Sequence, residues 1–216
     1  MNDKIEYNYN SITSTYNNDE IIKSKHIYTF CKRGIDIIAS ICGLIILSPI
    51  FIITSILVKI ESEGPIIFKQ LRCGKNSKPF YIYKFRSMKT SAPNLSTNDF
   101  VDSNNYITKV GRFIRKTSID EIPQLINILK GEMSLVGPRP VILEEEELIS
   151  LRKSAEVDKI LPGITGWAQI NGRDNIGNEE KVKYDYEYLT KRSFVLDIKI
   201  MLLTILQVVK KTDIKD

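Results

Sequence analysis

The longest apolar stretch of the chain covers residues 37–58 and contains no charged side chain over 22 positions. At about 1.5 Å per residue, a helix of this length would cross a hydrocarbon core of roughly 30 Å. Lysines and arginines flank the stretch on both sides, and the positive-inside rule would place both clusters in the cytoplasm. Ser48 and Pro49 lie near its middle, where proline bends a helix. The pattern predicts a helix over residues 27–60 that enters the membrane, bends and returns. A kinked single span or a buried core helix also fits this composition.

A hairpin and a loop are predicted after this stretch. Residues 64–88 carry strand-like runs of β-branched and aromatic residues, which Gly74 and Pro79 interrupt. Residues 89–106 are polar and rich in turn-forming residues, which is typical of a flexible loop.

Three helices are predicted in the second half of the chain. Apolar residues recur at helical spacing over residues 121–130, and Gly131 supplies a stop signal. Glutamates with leucines around them predict an exposed amphipathic helix over residues 143–151. Residues 194–209 are too apolar for a purely aqueous surface, yet Asp197 and other polar residues interrupt them. This last pattern favours an amphipathic helix at a membrane interface.

The expected fold class is α/β, mostly helical and irregular. Residues 1–26 form a polar leader that lacks the early apolar run of a signal peptide. Residues 27–60 form the re-entrant membrane helix. Residues 61–216 form a compact cytosolic domain with interfacial amphipathic helices, and this domain and the membrane helix make one functional unit.

Composition limits the available chemistry. The 216 residues include 31 Lys+Arg and 26 Asp+Glu, and the net charge of +5 suits anionic lipid or phosphate without requiring nucleic acid. Three cysteines without CxxC spacing argue against a disulfide framework or a zinc site. The single histidine, His26, lies in the polar N-terminal segment. Carboxylates and cationic side chains are therefore the candidates for chemistry.

The first candidate is a carboxylate pair that follows a basic segment. Asp120 and Glu121 come shortly after Arg112 and Arg115. If Asp120 is the N-cap of the helix over residues 121–130, the helix terminus should lower its pKa and keep it ionised. An ionised carboxylate can act as a nucleophile or bind a divalent metal, while the cations attract phosphate. A purely structural interpretation, with Asp120 as a cap and Glu121 as a first-turn charge, stays open.

Basic side chains at two other places suit phosphate. Arg139 stands between two prolines, which restrict the backbone and hold the guanidinium for bidentate binding. Lys84 and Arg86 alternate in a strand-like segment and should point to the same face.

A glycine-punctuated stretch over residues 162–173 is a further candidate. It includes Trp167, Gln169 and Arg173, whose side chains could line a nucleotide or sugar pocket. A structural turn with the tryptophan in the core fits the same residues, so both interpretations stay open.

Five motifs occur in order along the chain: KRGIDI, the Ser48-Pro49 pair, YKFRSM, TSIDEIPQLINILKGEMSLVGPRP and PGITGWAQINGR. The series closely resembles the bacterial sugar transferases, the monotopic polyprenyl-phosphate phosphoglycosyl transferases, in their short form. The resemblance runs from about residue 32 to about residue 204. Each motif is weak alone, but the ordered series is specific.

The resemblance implies transfer of a sugar-1-phosphate from a UDP-sugar to undecaprenyl (polyprenyl) phosphate, with release of UMP. This is the first membrane step of bacterial glycan assembly, at the cytoplasmic face of the inner membrane. Asp120 would be the nucleophile that forms a phosphosugar intermediate, and Asp120 and Glu121 would bind Mg²⁺. Ser48 and Pro49 would mark the break of the re-entrant helix, with both ends in the cytoplasm.

The resemblance also implies phosphate binding by Arg115 and Arg139, and the basic and amide side chains described above complete the expected site. Expected phosphate-binding residues are Arg115, Arg139 and Arg86, and expected substrate-binding residues are Lys84, Arg112, Gln169 and Arg173. Membrane lipid and a second copy of the chain, as a homodimer, are expected partners, and nucleic acid is not. The donor could carry an N-acetylated amino or deoxy sugar, or galactose or glucose. A catalytically silent adaptor that binds anionic lipid is the alternative, although it would need the cations and not the carboxylates.

Overall fold

The computed structural model describes residues 25–92, 105–172 and 176–210. Most of the predicted leader, the middle of the predicted loop at 89–106, and Arg173 lie outside these residues. The described part is mostly helical with two small sheets, as the predicted α/β class requires. The helices are α1 (His26–Ile46), α2 (Ser48–Glu61), α3 (Lys109–Lys116), α4 (Gln124–Lys130), α5 (Glu146–Ser154), α6 (Trp167–Asn171), α7 (Asn178–Lys191) and α8 (Phe194–Lys210). The strands are β1 (Ile67–Cys73), β2 (Pro79–Phe85), β3 (Ser134–Val136) and β4 (Gly163–Thr165).

Helices α1 and α2 form a pair bent by 62° at Leu47. Pro49 lies in the first turn of α2, where its missing N–H removes no intrahelical bond. The Ser48 hydroxyl donates to the carbonyl of Ile45 at 2.7 Å. The predicted break at Ser48 and Pro49 is therefore confirmed. Among the described helices, none alone has the length and apolar composition of a membrane span, whereas the bent pair meets both criteria together.

The helices predicted over residues 143–151 and 194–209 are present as α5 and α8, with α5 beginning at Glu146. Helix α8 buries Ile200 and Asp197 in the domain and exposes other apolar side chains. The α1–α2 pair also exposes apolar side chains. The exposed apolar side chains on these three helices include Ile38, Ile45, Ile52, Val195, Leu202 and Ile205.

A buried polar network fixes α1 to the rest of the domain. Asp36, only 2% exposed, accepts a hydrogen bond from the Ser134 hydroxyl at 2.7 Å and from the Leu135 amide at 3.3 Å. Lys32 forms an ion pair with Asp197 of α8 at 3.0 Å. The charged residues of the KRGIDI motif thus dock α1 onto β3 and α8.

Strands β1 and β2 form the predicted hairpin within residues 64–88. They pair antiparallel, with Ile67 opposite Phe85. Ile82 on β2 packs with Ile128 of α4 in one apolar cluster, so the hairpin covers one side of that helix.

The helix predicted over residues 121–130 begins three residues later than expected. Ile119–Glu121 form a 3₁₀ turn, and Pro123 is the N-cap of α4. Ser118 adopts a left-handed conformation with φ of 56°, which turns the chain sharply between α3 and the 3₁₀ turn. Asp120 therefore lies inside this turn, and its predicted role as the helix N-cap is wrong.

The C-terminal end of α4 is closed by a glycine and by an arginine from α1. Gly131, with φ of 84°, ends the helix as predicted. Arg33 donates to the carbonyls of Ile128 and Leu129 at 2.6 and 3.2 Å. These contacts satisfy carbonyls that the helix end leaves without intrahelical partners.

Two glycine-containing motifs meet beside the parallel strands β3 and β4. The Gly137 and Gly163 amides each donate to a carbonyl of the other motif at 2.9 Å. A Cβ atom on either glycine would collide with the other motif's backbone, so only glycine permits this approach. The crossing brings Arg139, which follows one glycine, close to Gln169, which follows the other.

Candidate active site

Asp120 and Glu121 lie on the 3₁₀ turn between α3 and α4. Ile119 anchors this turn in the apolar cluster around Phe85 and Ile114. Asp120 is buried, with 9% exposure, whereas Glu121 is half-buried. The turn thus holds two adjacent carboxylates against the end of β2.

Three cations surround the carboxylate pair. Lys84 Nζ lies 2.8 Å from Glu121 Oε1, and Arg139 Nη2 lies 3.6 Å from the same oxygen. Arg115, in the last turn of α3, lies close enough to Asp120 to stabilise its carboxylate. The structure therefore brings together five of the predicted site residues from four separate segments.

Burial raises the pKa of Asp120 from 3.8 to about 6, and the neighbouring Glu121 carboxylate adds to the increase. Lys84, Arg115 and Arg139 oppose this shift. The expectation of a lowered pKa is wrong, because Asp120 lies in a desolvated turn and not at a helix N-terminus. Asp120 is still mostly ionised at pH 7.5, with a charge that little water stabilises.

A cavity of about 320 Å³ opens beside Glu121. Glu121 and Arg139 are the charged residues that line it in the described part of the chain. Leu47, at the bend of the α1–α2 pair, and Val208 of α8 also line it, with several other apolar side chains. The cavity therefore joins a charged site to the apolar helices.

Gln169 lines this cavity as well. Its Nε2 donates to the carbonyl of Ile164 at 3.1 Å, and its Oε1 is buried without a hydrogen-bond partner among the described residues. An unpaired buried acceptor is costly unless a ligand or water supplies a donor. Gln169 therefore lines the cavity with an acceptor that a ligand or water could pair, and its predicted role in substrate binding stays a prediction.

Two adjacent carboxylates suit a magnesium ion. Mg²⁺ is usually held by one or two carboxylates together with substrate phosphates and water. Asp120 and Glu121 supply such a pair. Burial is the larger cause of the raised pKa of Asp120, and repulsion from Glu121 is the second. A divalent cation between the carboxylates would relieve this repulsion. Within the described residues, no group of three or more His, Cys, Asp or Glu side chains could hold a metal by itself. The donor set fits a metal shared with a phosphate ligand.

The expectation that Arg86 binds phosphate is corrected. Arg86 is 5% exposed, and its guanidinium donates to the Ser62 carbonyl at 2.6 Å and the Glu63 carbonyl at 2.8 Å. Strand β2 ends at Phe85, so the strand alternation that would place Lys84 and Arg86 on the same face does not continue to Arg86. Lys84 contacts Glu121, whereas Arg86 contacts Ser62. Arg86 instead closes the C-terminal end of α2, whose last carbonyls need donors.

The structure does not place the other two predicted substrate-binding residues in this cluster. Arg112 is exposed on α3. Arg173 lies outside the residues that the structure describes.

Arg72 is a residue that the sequence reasoning missed. It lies on β1. Burial lowers the pKa of Arg72 to about 10, and repulsion from Arg139 is the second cause. Its Nη2 donates to Gln70 Oε1 at 2.6 Å. Polar residues at positions 70 and 72 share one face of the strand, and this alternation is the signal that could have indicated it.

The fold and the site define a class of protein in which a cluster of carboxylates and cations adjoins a cavity that reaches helices with exposed apolar side chains. The chain belongs to the bacterial sugar transferase family, whose family model matches residues 27–211.

Named relatives agree with this membership. The chain is 45% identical over 177 residues to the uncharacterized sugar transferase EpsL of Bacillus subtilis, covering 82% of this chain and 86% of the relative. It is 42% identical to UDP-glucose:undecaprenyl-phosphate glucose-1-phosphate transferase of Escherichia coli, over 81% of this chain and 39% of that protein. It is 39% identical to UDP-N-acetylgalactosamine-undecaprenyl-phosphate N-acetylgalactosaminephosphotransferase of Aeromonas hydrophila, over 83% of this chain and 44% of that protein. The chain thus spans most of EpsL and less than half of the other two.

Proposed function

We propose that the protein transfers a sugar-1-phosphate from a UDP-sugar to undecaprenyl phosphate and releases UMP. The names of two relatives describe transfers of this kind with glucose or N-acetylgalactosamine. The observation that carries the proposal is the buried Asp120 beside Glu121, with cations around the pair. Glu121 and Arg139 also line a cavity that reaches the bend of the α1–α2 pair and α8. A phosphate with a long apolar chain requires charged side chains for the phosphate and apolar side chains for the chain, and both kinds line this cavity.

In the proposed reaction Asp120 is the nucleophile. An Oδ atom of Asp120 attacks the sugar-bearing phosphorus, the bond to the nucleotide phosphate breaks, and UMP leaves with the bridging oxygen. An oxygen of undecaprenyl phosphate then attacks the same phosphorus and frees Asp120. The bond between the sugar and its oxygen stays intact, so the anomeric configuration is retained. Lys84, Arg115 and Arg139 neutralise phosphate charge at the site.

Asp120 and Glu121 would hold Mg²⁺, which supplies further charge neutralisation between phosphates and carboxylates when bound.

The membrane placement is part of the proposal. Lys25 Nζ, at the start of α1, donates to the Thr190 carbonyl at 2.7 Å, while Arg86 binds the carbonyls at the end of α2. Both ends of the bent pair are therefore attached to one domain, which supports a re-entrant helix over a crossing one. The exposed apolar side chains of α1, α2 and α8 would enter the cytoplasmic leaflet of the inner membrane.

The test is UMP release by the full chain in detergent with Mg²⁺, undecaprenyl phosphate and a panel of UDP-sugars. We expect acceptor-dependent release with one donor, and a loss of at least about a thousandfold in Asp120→Asn, because a nucleophile cannot be replaced by an amide. Asp158→Asn is the matched control, since Asp158 bonds Ser77 in a different part of the domain. Full activity in Asp120→Asn would reject Asp120 as the nucleophile. A lipid-binding protein that turns over no donor would support the adaptor alternative.

A further inference from the structure

A second, smaller cavity lies on the other side of Arg139. It measures about 90 Å³, and both Arg139 and Gln169 line it as well as the first cavity. The other charged residues that line it are Arg72, Glu145, Arg152 and Lys181.

Positive charge exceeds negative charge around this second cavity. Four of its lining side chains are cationic and one is a carboxylate. Arg152 is already balanced, because its Nε and Nη2 donate to the buried Asp185 carboxylate at 3.0 and 2.6 Å. With Asp185 counted, and with Glu121, which pairs with Arg139 at 3.6 Å, an excess of one positive charge remains, which suits an anionic ligand.

Arg72 is only partly satisfied by the protein. Its Nη1 reaches the Pro140 carbonyl at 3.5 Å, and its Nε is buried without a hydrogen-bond partner in the described part of the chain. Burial and then repulsion from Arg139 lower the pKa of Arg72 to about 10. Two guanidinium groups that repel each other beside a cavity form a site that a bound anion would stabilise.

The size and position of the cavity identify which phosphate it takes. A volume of about 90 Å³ holds a few waters or one tetrahedral anion, and not a whole nucleotide. No residue of α1, α2 or α8 lines it within the described ranges, whereas Leu47 and Val208 line the first cavity. The phosphate of the lipid acceptor belongs with the first cavity, which leaves the second for the nucleotide side of the donor.

We propose that the second cavity binds the nucleotide-side phosphate of the donor, with Arg72 and Lys181 as phosphate-binding residues and Arg139 between the two donor phosphates. The inference rests on the proposed function, since it requires that a nucleoside monophosphate leaves. When the bond between the bridging oxygen and the sugar-bearing phosphorus breaks, both electrons stay on that oxygen. Arg72 then neutralises the negative charge gained by the departing monophosphate.

The test is calorimetric titration of the full chain in detergent with UMP, uridine and farnesyl phosphate. We expect Arg72→Gln to weaken UMP binding by about tenfold or more, because a charge-assisted bond to phosphate is lost. Lys181→Gln should weaken it by about threefold or more. Both variants should bind uridine and farnesyl phosphate within about twofold of the unchanged protein, since neither ligand places a phosphate in this cavity. Lys69→Gln, an exposed charge on the same strand, is the matched control and should bind UMP normally.

Several results would overturn the assignment. An unchanged UMP affinity in both Arg72→Gln and Lys181→Gln would overturn it. A loss of affinity confined to farnesyl phosphate would also overturn it and would indicate that the cavity binds the lipid acceptor. Equal losses for UMP and uridine would place Arg72 on the nucleoside. Thermal unfolding identifies a variant that does not fold. If Arg72→Gln does not fold, Arg72→Lys is used in its place, because lysine keeps the charge without the planar guanidinium.

A parallel assay of UMP release separates this inference from the proposed function. If the protein turns over a donor but its UMP affinity is the same in Arg72→Gln and Lys181→Gln, the phosphate site is rejected and the proposed function stands. UMP binding that depends on Arg72, without turnover of any donor, supports the phosphate site and rejects the proposed function.

Discussion

The domain buries aspartates in two different settings. Asp197 accepts hydrogen bonds from the hydroxyls of Tyr28 and Tyr188 at 2.7 and 2.8 Å and pairs with Lys32 at 3.0 Å. Asp120 is buried to a similar degree, but burial and Glu121 together raise its pKa to about 6. The first carboxylate is surrounded by donors, and the second stands beside another carboxylate.

The difference distinguishes a structural carboxylate from a reactive one. A buried charge with several donors holds elements together, and here it joins α1, α7 and α8. A buried charge beside a like charge is held at high energy until a cation or an electrophile arrives. Replacing the two aspartates should therefore change stability in opposite directions.

The largest expected change in stability is in Asp197→Asn. Removing this charge leaves Lys32, with 14% of its side chain exposed, without its closer carboxylate partner. We expect a loss of about 4 kcal/mol in the free energy of unfolding, as for other broken buried pairs. Thermal or denaturant unfolding in detergent measures it. Asp158→Asn should lower the free energy of unfolding by less than about 1 kcal/mol. Equal losses in Asp197→Asn and Asp158→Asn would contradict the structural role assigned to Asp197.

The next effect has the opposite sign and depends on pH. The folded-state pKa of Asp120 is raised, so the folded protein binds the proton more tightly and stability falls as pH rises from about 3.8 to about 6. The neutral amide in Asp120→Asn carries no such penalty. Without Mg²⁺, the variant should match the unchanged protein near pH 3.5 and exceed it by about 3 kcal/mol at pH 7.5. Unfolding in EDTA at several pH values checks this, and a variant less stable at pH 7.5 would contradict it.

The smallest effect tests the corrected role of Arg86. Arg86→Gln removes donors from the carbonyls at the end of α2, and we expect a loss of about 2 kcal/mol in stability. Arg112→Gln, on the exposed face of α3, should change stability by less than about 0.5 kcal/mol. UMP affinity of folded Arg86→Gln should stay within about twofold of the unchanged protein. A large loss of UMP affinity with normal stability would restore Arg86 as a phosphate-binding residue.

Local patterns predicted most of the elements. The bend at Ser48 and Pro49, the hairpin, the end of α4 at Gly131 and the helix α8 all depend on residues adjacent in the chain. The start of α4 was predicted wrongly, because the left-handed Ser118 and the packing of Ile119 set a 3₁₀ turn that helical spacing does not reveal.

The sequence by itself determined the carboxylate pair, the rigid arginine between two prolines and the family resemblance, since each lies within a short continuous motif. Only the tertiary structure decided the pKa of Asp120, the structural role of Arg86 and the position of Arg72 beside Arg139. The physical reason is that burial and charge pairing depend on neighbours from distant segments. Glycine contacts between two motifs place Arg139, and the end of α2 takes the guanidinium of Arg86.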